Sequence, residues 1–355
     1  MTLARLGREG AAYALALLGA LAAWALNLPL AFLVGPVVTM SVVSQRLPKL
    51  QVSRLAYALG LAVIGVGLGQ YFTPETLDVW SGIAGAIALN TAITLTGIFL
   101  GFLLLSRVFG HDRRTAALAG LPGGILTVIE MARASNADTS AVLFFQVFRI
   151  VLGASLIPLG YAMSGFDVPT TGVRPVSNSV PATLHDLALL IGGSLIVMVL
   201  GRRLRIPSAE ISLPLALSAT LYATGVVTMT VPVWLVAGAF VVVGASVGTL
   251  LPRLKARLLL KLVLQTAVLF ALFMALTFVA AFFASALFGL RPAVAILAFS
   301  PASLTEMIAV ALALELDPAF VAANNMYRML FCSVLAPFLP WLVLLCRPKA
   351  SETGA

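Results

Sequence analysis

Apolar residues in this chain come in long runs, separated by short polar or Pro/Gly-containing stretches. A helix crossing hydrocarbon needs about 20 apolar residues. Runs approaching that length fall at roughly 11–27, 29–45, 55–72, 80–106, 116–134 and 141–162. A second set falls at roughly 184–201, 209–226, 231–250, 260–288, 294–314 and 319–346. Between the sets lies the polar stretch SGFDVPTTGVRPVSNSVPATLHD (164–186), and a polar tail, RPKASETGA, follows the last run. The pattern predicts an all-α polytopic membrane protein of two halves, 1–178 and 179–355, joined by a Pro-containing linker at about 164–183.

Composition narrows the alternatives. The 355 residues are 61% hydrophobic and 10% charged, with a mean hydropathy of +1.08. A typical soluble domain is roughly 45–50% apolar and about 25% charged. A soluble enzyme, a disordered chain and a collagen-like fibre are therefore excluded. Two cysteines, Cys332 and Cys346, do not make a disulfide scaffold. The net charge of +9 sits in short clusters at the ends of apolar runs, which reads as membrane topology rather than nucleic-acid binding. The N-terminal MTLARLGREG superficially resembles a signal peptide, but the apolar pattern continues beyond it, so it reads as an uncleaved first span.

The two halves repeat each other. Pro122 pairs with Pro301, Asp138 with Asp317, Arg149 with Arg328 and Pro158 with Pro337, each 179 residues apart. Positions 116–158 align on 295–337 without a gap and with twelve identities in 43 positions. Gly65 and Gly69 pair with Gly244 and Gly248 at the same offset, and Pro29 and Pro36 with Pro207 and Pro214 at 178. Similar Ala/Leu-rich helices are common by chance, but matched Pro, Gly, Asp and Arg anchors point to an internal duplication.

Charge counting orients the copies. Arg133, Arg149 and Arg328 lie inside candidate site segments, which leaves 19 of the 22 basic residues. With 116–134 and 294–314 re-entrant, 17 of these face the cytoplasm and only Arg174 and Arg291 face outward; with all twelve runs crossing, the split is 12 to 7. The first arrangement predicts two inverted repeats, each of five transmembrane helices plus one re-entrant or Pro/Gly-broken helix, with both termini cytoplasmic.

The two excepted segments carry helix breakers: Leu121-Pro122-Gly123-Gly124 in one, and Ser300-Pro301-Ala302-Ser303 in the other. A plain proline kink is the alternative reading. Unwound backbone at membrane depth is tolerated only where protein buries it or it lines a watery cavity, and inverted-repeat transporters build their substrate sites this way. The candidate binding residues are Pro122, Gly123, Gly124, Thr127, Gln146, Arg149, Ser300, Pro301, Ser303, Thr305, Asn324, Asn325 and Arg328. Gln146-x-x-Arg149 and Asn325-x-x-Arg328 each place an amide and a guanidinium on one helical face. A buried arginine in a membrane helix marks either a site or a structural ion pair. Glu306, Glu130 and Asp138 are the candidate coupling carboxylates. The contexts of Asp138 and Asp317 also read as helix N-caps.

His111 and His185 sit at segment ends, and no Walker A, CxxC or metal-ligand set occurs, so no cofactor and no metal are expected, and no enzyme.

The doubled Pro-Gly-Gly, Glu-Met, Ala-Asp and Gln/Asn-x-x-Arg series resembles the AbrB family of bacterial membrane proteins, which is distinct from the DNA-binding regulator of that name. The first copy keeps Pro122-Gly123-Gly124 but has Thr127 in the glutamate's place, with Glu130 displaced. The second keeps Thr305-Glu306-Met307 but has Ala302-Ser303 for the glycines. The resemblance implies a duplicated membrane module whose members carry transporter, gene-expression regulator and ammonia monooxygenase labels. The residues are read as a secondary transporter of a small, anionic solute, with a membrane-embedded regulator as the alternative and a membrane monooxygenase behind it. The partners expected are the lipid bilayer, a small-molecule solute and, as in many elevator-type proteins, a second copy of the chain.

Overall fold

The computed structural model describes residues 3–26, 28, 30–47, 50, 52–72, 83–165, 181, 183–204, 206, 209–250, 256–302, 304–336 and 338–339. Most of the linker, Ser303, Pro337, Cys346 and the end of the last run lie outside that set, as do the side chains of Thr305 and Glu306. Every regular element among the described residues is a helix. In the first half these are α1 (Leu3–Ala25), α2 (Ala31–Arg46), α3 (Arg54–Gly69), α4 (Ile83–Val108), α5 (Arg113–Ala119), α6 (Ile125–Ala134) and α7 (Thr139–Met163). The second half repeats the order with α8 (Leu184–Arg203), α9 (Ala209–Ala223), α10 (Val233–Thr249), α11 (Ala256–Phe288), α12 (Pro292–Phe299), α13 (Leu304–Ala313) and α14 (Pro318–Leu335). Each of the apolar runs at 116–134 and 294–314 resolves into two short helices around its Pro-containing break.

Among the described residues, four helices are long and apolar enough to cross a bilayer: α4, α7, α8 and α11. Helices α3, α9 and α10 are apolar but shorter. The exposed faces of α8 and α11 are themselves apolar, with Ile196 69%, Val199 51% and Phe282 70% exposed. Such surface in a chain this apolar belongs against lipid, and the molecule is an α-helical membrane protein.

Packing exchanges the two halves. Helix α3 lies against α9, and α2 against α10. The glycine pairs permit both crossings. A Cβ on Gly65 would come within 2.7 Å of the Ile211 carbonyl oxygen, and one on Gly244 within 2.7 Å of the Leu33 carbonyl oxygen. These two contacts are the same contact with the halves swapped. Without a hydrophobic force between helices in lipid, small residues that let backbones approach closely carry such interfaces. One buried cluster then runs through both halves, from Leu33 and Ile64 to Leu215, Val243 and Phe299.

The short helices form hairpins. At about 1.5 Å per residue, α5 and α6 rise about 10 and 15 Å, well short of a hydrocarbon core of about 30 Å. The Arg114 guanidinium donates to the Ser135 carbonyl (2.9 Å) and the Asp138 amide donates to Thr115 Oγ1 (2.8 Å). The start of α5 and the end of α6 therefore lie side by side at the N-terminal end of α7. In the second half, Tyr161 O–H, near the C-terminal end of α7, donates to the carbonyl of Ala293 at the start of α12 (2.6 Å). The mouth of the first hairpin and the start of the second thus sit at opposite ends of one long helix.

Candidate functional site

Both hairpin tips point into a shared cavity of about 150 Å³. Pro122, Gly123, Gly124, Ile125 and Thr127 line it from the first tip, and Ala302 and Leu304 from the second. Arg149 and Ile150 of α7, with Asn325, Arg328 and Met329 of α14, form one wall. The rest is apolar, from Leu33, Val37, Leu61, Val243 and Val247, apart from Tyr57 and Glu210.

The tips are held by contacts that also repeat. Gly123 of the first tip packs on Cys332 of α14 (3.3 Å from a Cβ placed on the glycine), and Ala302 of the second tip packs on Gly153 of α7. Cys332 and Gly153 are themselves 179 residues apart, as are Ala302 and Gly123. Each tip therefore rests on the long helix of the other half.

A broken helix leaves carbonyls without i+4 donors, and in a dry interior each unpaired carbonyl is costly. The arginines answer that need. Arg149 Nη1 donates to the Leu121 carbonyl (3.2 Å), and Arg328 Nη1 donates to the Ser300 carbonyl at the matching position. Gln146 Nε2 donates to the carbonyls of Leu118 (3.1 Å) and Leu121 (2.9 Å), and Asn325 Nδ2 donates to that of Leu297 (3.1 Å), the match of Leu118. Both guanidiniums are buried, at 6% and 5% exposure. The cost of burying each arginine and the cost of each break offset one another. These hydrogen bonds to backbone are a structural role different from the ion pair expected, and the same guanidiniums line the cavity.

The amides differ. Gln146 Oε1 accepts from Arg149 Nη2 (2.9 Å), which closes the net in the first half. In the second half Arg328 Nη2 turns instead to the Ala302 carbonyl (2.6 Å). Asn325 Nδ2 is occupied by the Leu297 carbonyl and by that of Val321 (2.9 Å). Among the described residues no donor reaches Asn325 Oδ1, although the residue is fully buried.

Of the other expected site residues, Gln146, Ser300, Pro301 and Asn324 are not in the cavity lining. Ser300 Oγ accepts from the Ala302 amide within the tip. The Asn324 backbone carbonyl accepts from Asn90 Nδ2 of α4 (3.1 Å), while its side-chain Nδ2 donates to the Phe320 carbonyl of its own helix (3.1 Å). Glu130 lies exposed on α6 and outside the lining. Asp138 is also exposed and caps α7, accepting from the amides of Ser140 (3.0 Å) and Ala141 (3.1 Å). Asp317 caps α14 through the Phe320 amide (2.9 Å). The cavity's described carboxylate is one that spacing did not single out: Glu210, in the first turn of α9, which also pairs with exposed Arg202 (3.3 Å). Its only sequence signal is an acidic residue opening an otherwise apolar helix. His111 is not a plain surface residue: its ring packs edge-on against Phe145, and Nε2 lies 2.9 Å from Gln265 Oε1.

Known proteins share this chain's pattern. It is 30% identical over 233 residues to "Putative regulator AbrB" of Escherichia coli (strain K12), a match covering 63% of this chain and 64% of that protein, so under two thirds of the relative's length is spanned. It is 21% identical over 301 residues to "Uncharacterized protein YhjN" of Bacillus subtilis (strain 168), covering 81% and 78% of the two chains. Residues 32–343 match the family described as "Transition state regulatory protein AbrB". With nearly the whole chain inside that match, and the doubled Pro-break and amide-x-x-Arg pattern present in both halves, this membrane protein belongs to the AbrB family.

Proposed function

We propose that the chain is a secondary transporter for a small carboxylate-bearing solute, bound between the two hairpin tips. The observation that carries this reading is the meeting of both interrupted helices and both buried arginines on one cavity. A cavity near 150 Å³ takes a molecule about the size of benzene. Two guanidiniums and the N-terminal ends of α6 and α13 give it a positive character suited to a carboxylate.

The architecture that goes with this function is a pair of inverted repeats, with ten spans and two re-entrant hairpins. The swapped glycine contacts support it, as do the mouth of the first hairpin and the start of the second at opposite ends of α7. The charge count supports cytoplasmic termini, and the family resemblance supports a bacterial inner membrane, where this protein acts as a carrier rather than an enzyme. Rocking of the hairpins against the α2, α3, α9 and α10 core exposes the cavity to each side in turn.

Uptake of labelled propionate and alanine into proteoliposomes tests the proposal. Saturable uptake that is lost on filling the cavity with Thr127→Leu is expected, and absence of uptake from folded protein overturns it. The relatives' printed names favour a second reading, a membrane-embedded regulator. A change in gene expression on deletion, with no solute flux, selects that one. Labelling of a single cysteine at position 203 from outside the cell overturns the inverted topology.

A further inference from the structure

A second cavity, of about 130 Å³, lies between α3, α8 and the start of α10 and shares no lining residue with the one at the hairpin tips. Leu59, Ala62 and Val66 line it from α3, and Leu190, Ser194 and Met198 from α8. The repeat explains why it exists. At the offset of 178 that pairs Pro29 with Pro207, the buried stripe Ala12, Ala16, Ala20 and Ala23 of α1 becomes Leu190, Ser194, Met198 and Gly201 of α8. The alanines let α1 close on its neighbours, and they are packed with Val241 and Ala245 of α10. In α8 two long side chains, Leu190 and Met198, stand two turns apart with a serine between them, and a gap is left there. Ser194 supplies its small size and not a hydrogen bond, because its hydroxyl oxygen is buried. The large side chains at the rim, Leu59, Ile191 and Leu195, are exposed, so the gap is a groove open on the lipid-facing surface.

The groove has a charged end. Val66 packs with the cluster of Leu190, Val227 and Met229, and Ala58 and Ala62 pack with Met198, so α3 and α8 run antiparallel along it. One turn beyond Ala58 lies exposed Arg54, and one turn beyond Met198 lies exposed Arg202, followed by exposed Arg203. The first half has Trp24 and Ala25 where the last two stand. Gap and positive charge thus coincide in one half of the molecule. Arg202 Nε also meets Glu210 (3.3 Å), but both groups are partly exposed, and such a pair competes weakly with another anion. A helix of a second chain, about 10 Å across, is too wide for the groove. A cavity of about 150 Å³ takes a benzene molecule, so this one takes about six carbons of a hydrocarbon chain. We propose that one acyl chain of an anionic phospholipid of the bilayer lies in this groove, with its phosphate at the end marked by Arg54, Arg202 and Arg203. Basic residues at the membrane face attract anionic headgroups. The site does not depend on the transport reading.

The test compares phosphatidylglycerol, which is anionic, with phosphatidylcholine of the same acyl chains, which carries no net charge. Full-length protein, purified in detergent and stripped of lipid, is titrated with each and weighed intact by native mass spectrometry. One phosphatidylglycerol per chain is expected to bind ahead of any others, and at least about fivefold tighter than phosphatidylcholine. Removing two charges with Arg202→Gln and Arg203→Gln together weakens phosphatidylglycerol by about fivefold per arginine and leaves phosphatidylcholine unchanged. Ser194→Leu fills the gap and weakens both lipids alike. Leu59→Trp, at the exposed rim, does the same if the serine variant does not fold. A phosphatidylglycerol with a photoactivatable diazirine in its acyl chain labels α3 and α8 in the unaltered protein and loses that labelling in the filled variant. Equal binding of the two lipids, a preference that survives loss of both arginines, or labelling that ignores the filled groove overturns the proposal. Leu195→Cys protein that cross-links to a second copy in the membrane, with no phosphatidylglycerol bound, gives the groove to another chain and overturns it too.

Discussion

The two amide-x-x-arginine turns occupy equivalent places and share two hydrogen bonds, from the amide to Leu118 or Leu297 and from the arginine to Leu121 or Ser300, yet they end differently. In the first, Gln146 spans the distance to Arg149 and the polar net is closed. In the second, Asn325 is one methylene shorter, Arg328 bonds backbone at Ala302 instead, and among the described residues no donor reaches the Asn325 amide oxygen. In both halves buried charge and a broken helix satisfy each other. The two turns differ by one methylene in the amide, and with the shorter amide the arginine bonds backbone instead.

The heaviest blow to this pairing is removal of a guanidinium. Arg328→Met strips the donors from the carbonyls of Ser300 and Ala302. At about 1–3 kcal/mol per orphaned buried carbonyl, the expected loss is several kcal/mol, read as a steep fall in denaturant resistance in detergent. Arg149→Met should cost less, because Leu121 keeps Gln146 as a second donor. Equal losses would deny the asymmetry.

Next in size are the crossings that bring the halves together. Gly65→Val and Gly244→Val each drive side-chain atoms into a backbone carbonyl, at Ile211 and Leu33 respectively. Each is expected to cost about 1–3 kcal/mol or more. The two should be alike, since the contacts are the same with the halves exchanged. Thermal unfolding of the pair checks this.

The amides give a smaller effect with a definite sign. Gln146→Asn opens the closed net and is expected to destabilise by about 1 kcal/mol, whereas Asn325→Gln closes the open one and is expected to stabilise by about as much. Opposite signs are the signature of the difference, and matching signs would erase it. The smallest effects belong to the caps. Asp138→Ala and Asp317→Ala each remove a side-chain acceptor from a helix start, for about 1 kcal/mol. Neither is expected to alter solute binding, since neither residue lines the cavity.

Much of this was legible in the chain. The unbroken apolar runs announce membrane helices because lipid offers the backbone no partners. The breaks at Pro122 and Pro301 are written in residues that cannot continue a helix. Arg149, Arg328, Pro122, Gly123, Gly124, Thr127 and Asn325 were candidates by type and register, and they line one cavity. The spacing that singled out Gln146 was equally good, but Gln146 turns to the carbonyls behind the tip, and Asn324, a candidate by residue type, bonds the Phe320 carbonyl of its own helix. Helical periodicity gives the face of a residue, not which neighbour covers that face. Glu210 carried no motif, and only the packing of α9 on α3 brings it to the cavity.

The sequence by itself determined the solvent, the helices, the places where they must break and the doubling of the whole pattern. Each of these follows from local chemistry: apolar length, proline and glycine geometry, and repetition at one offset. Tertiary structure alone decided that the two breaks face one space, that each arginine serves the carbonyls of its own break, and that amides differing by one methylene take different partners. Those outcomes depend on distances between residues far apart in the chain, and spacing along a sequence does not encode which helix will lie against which.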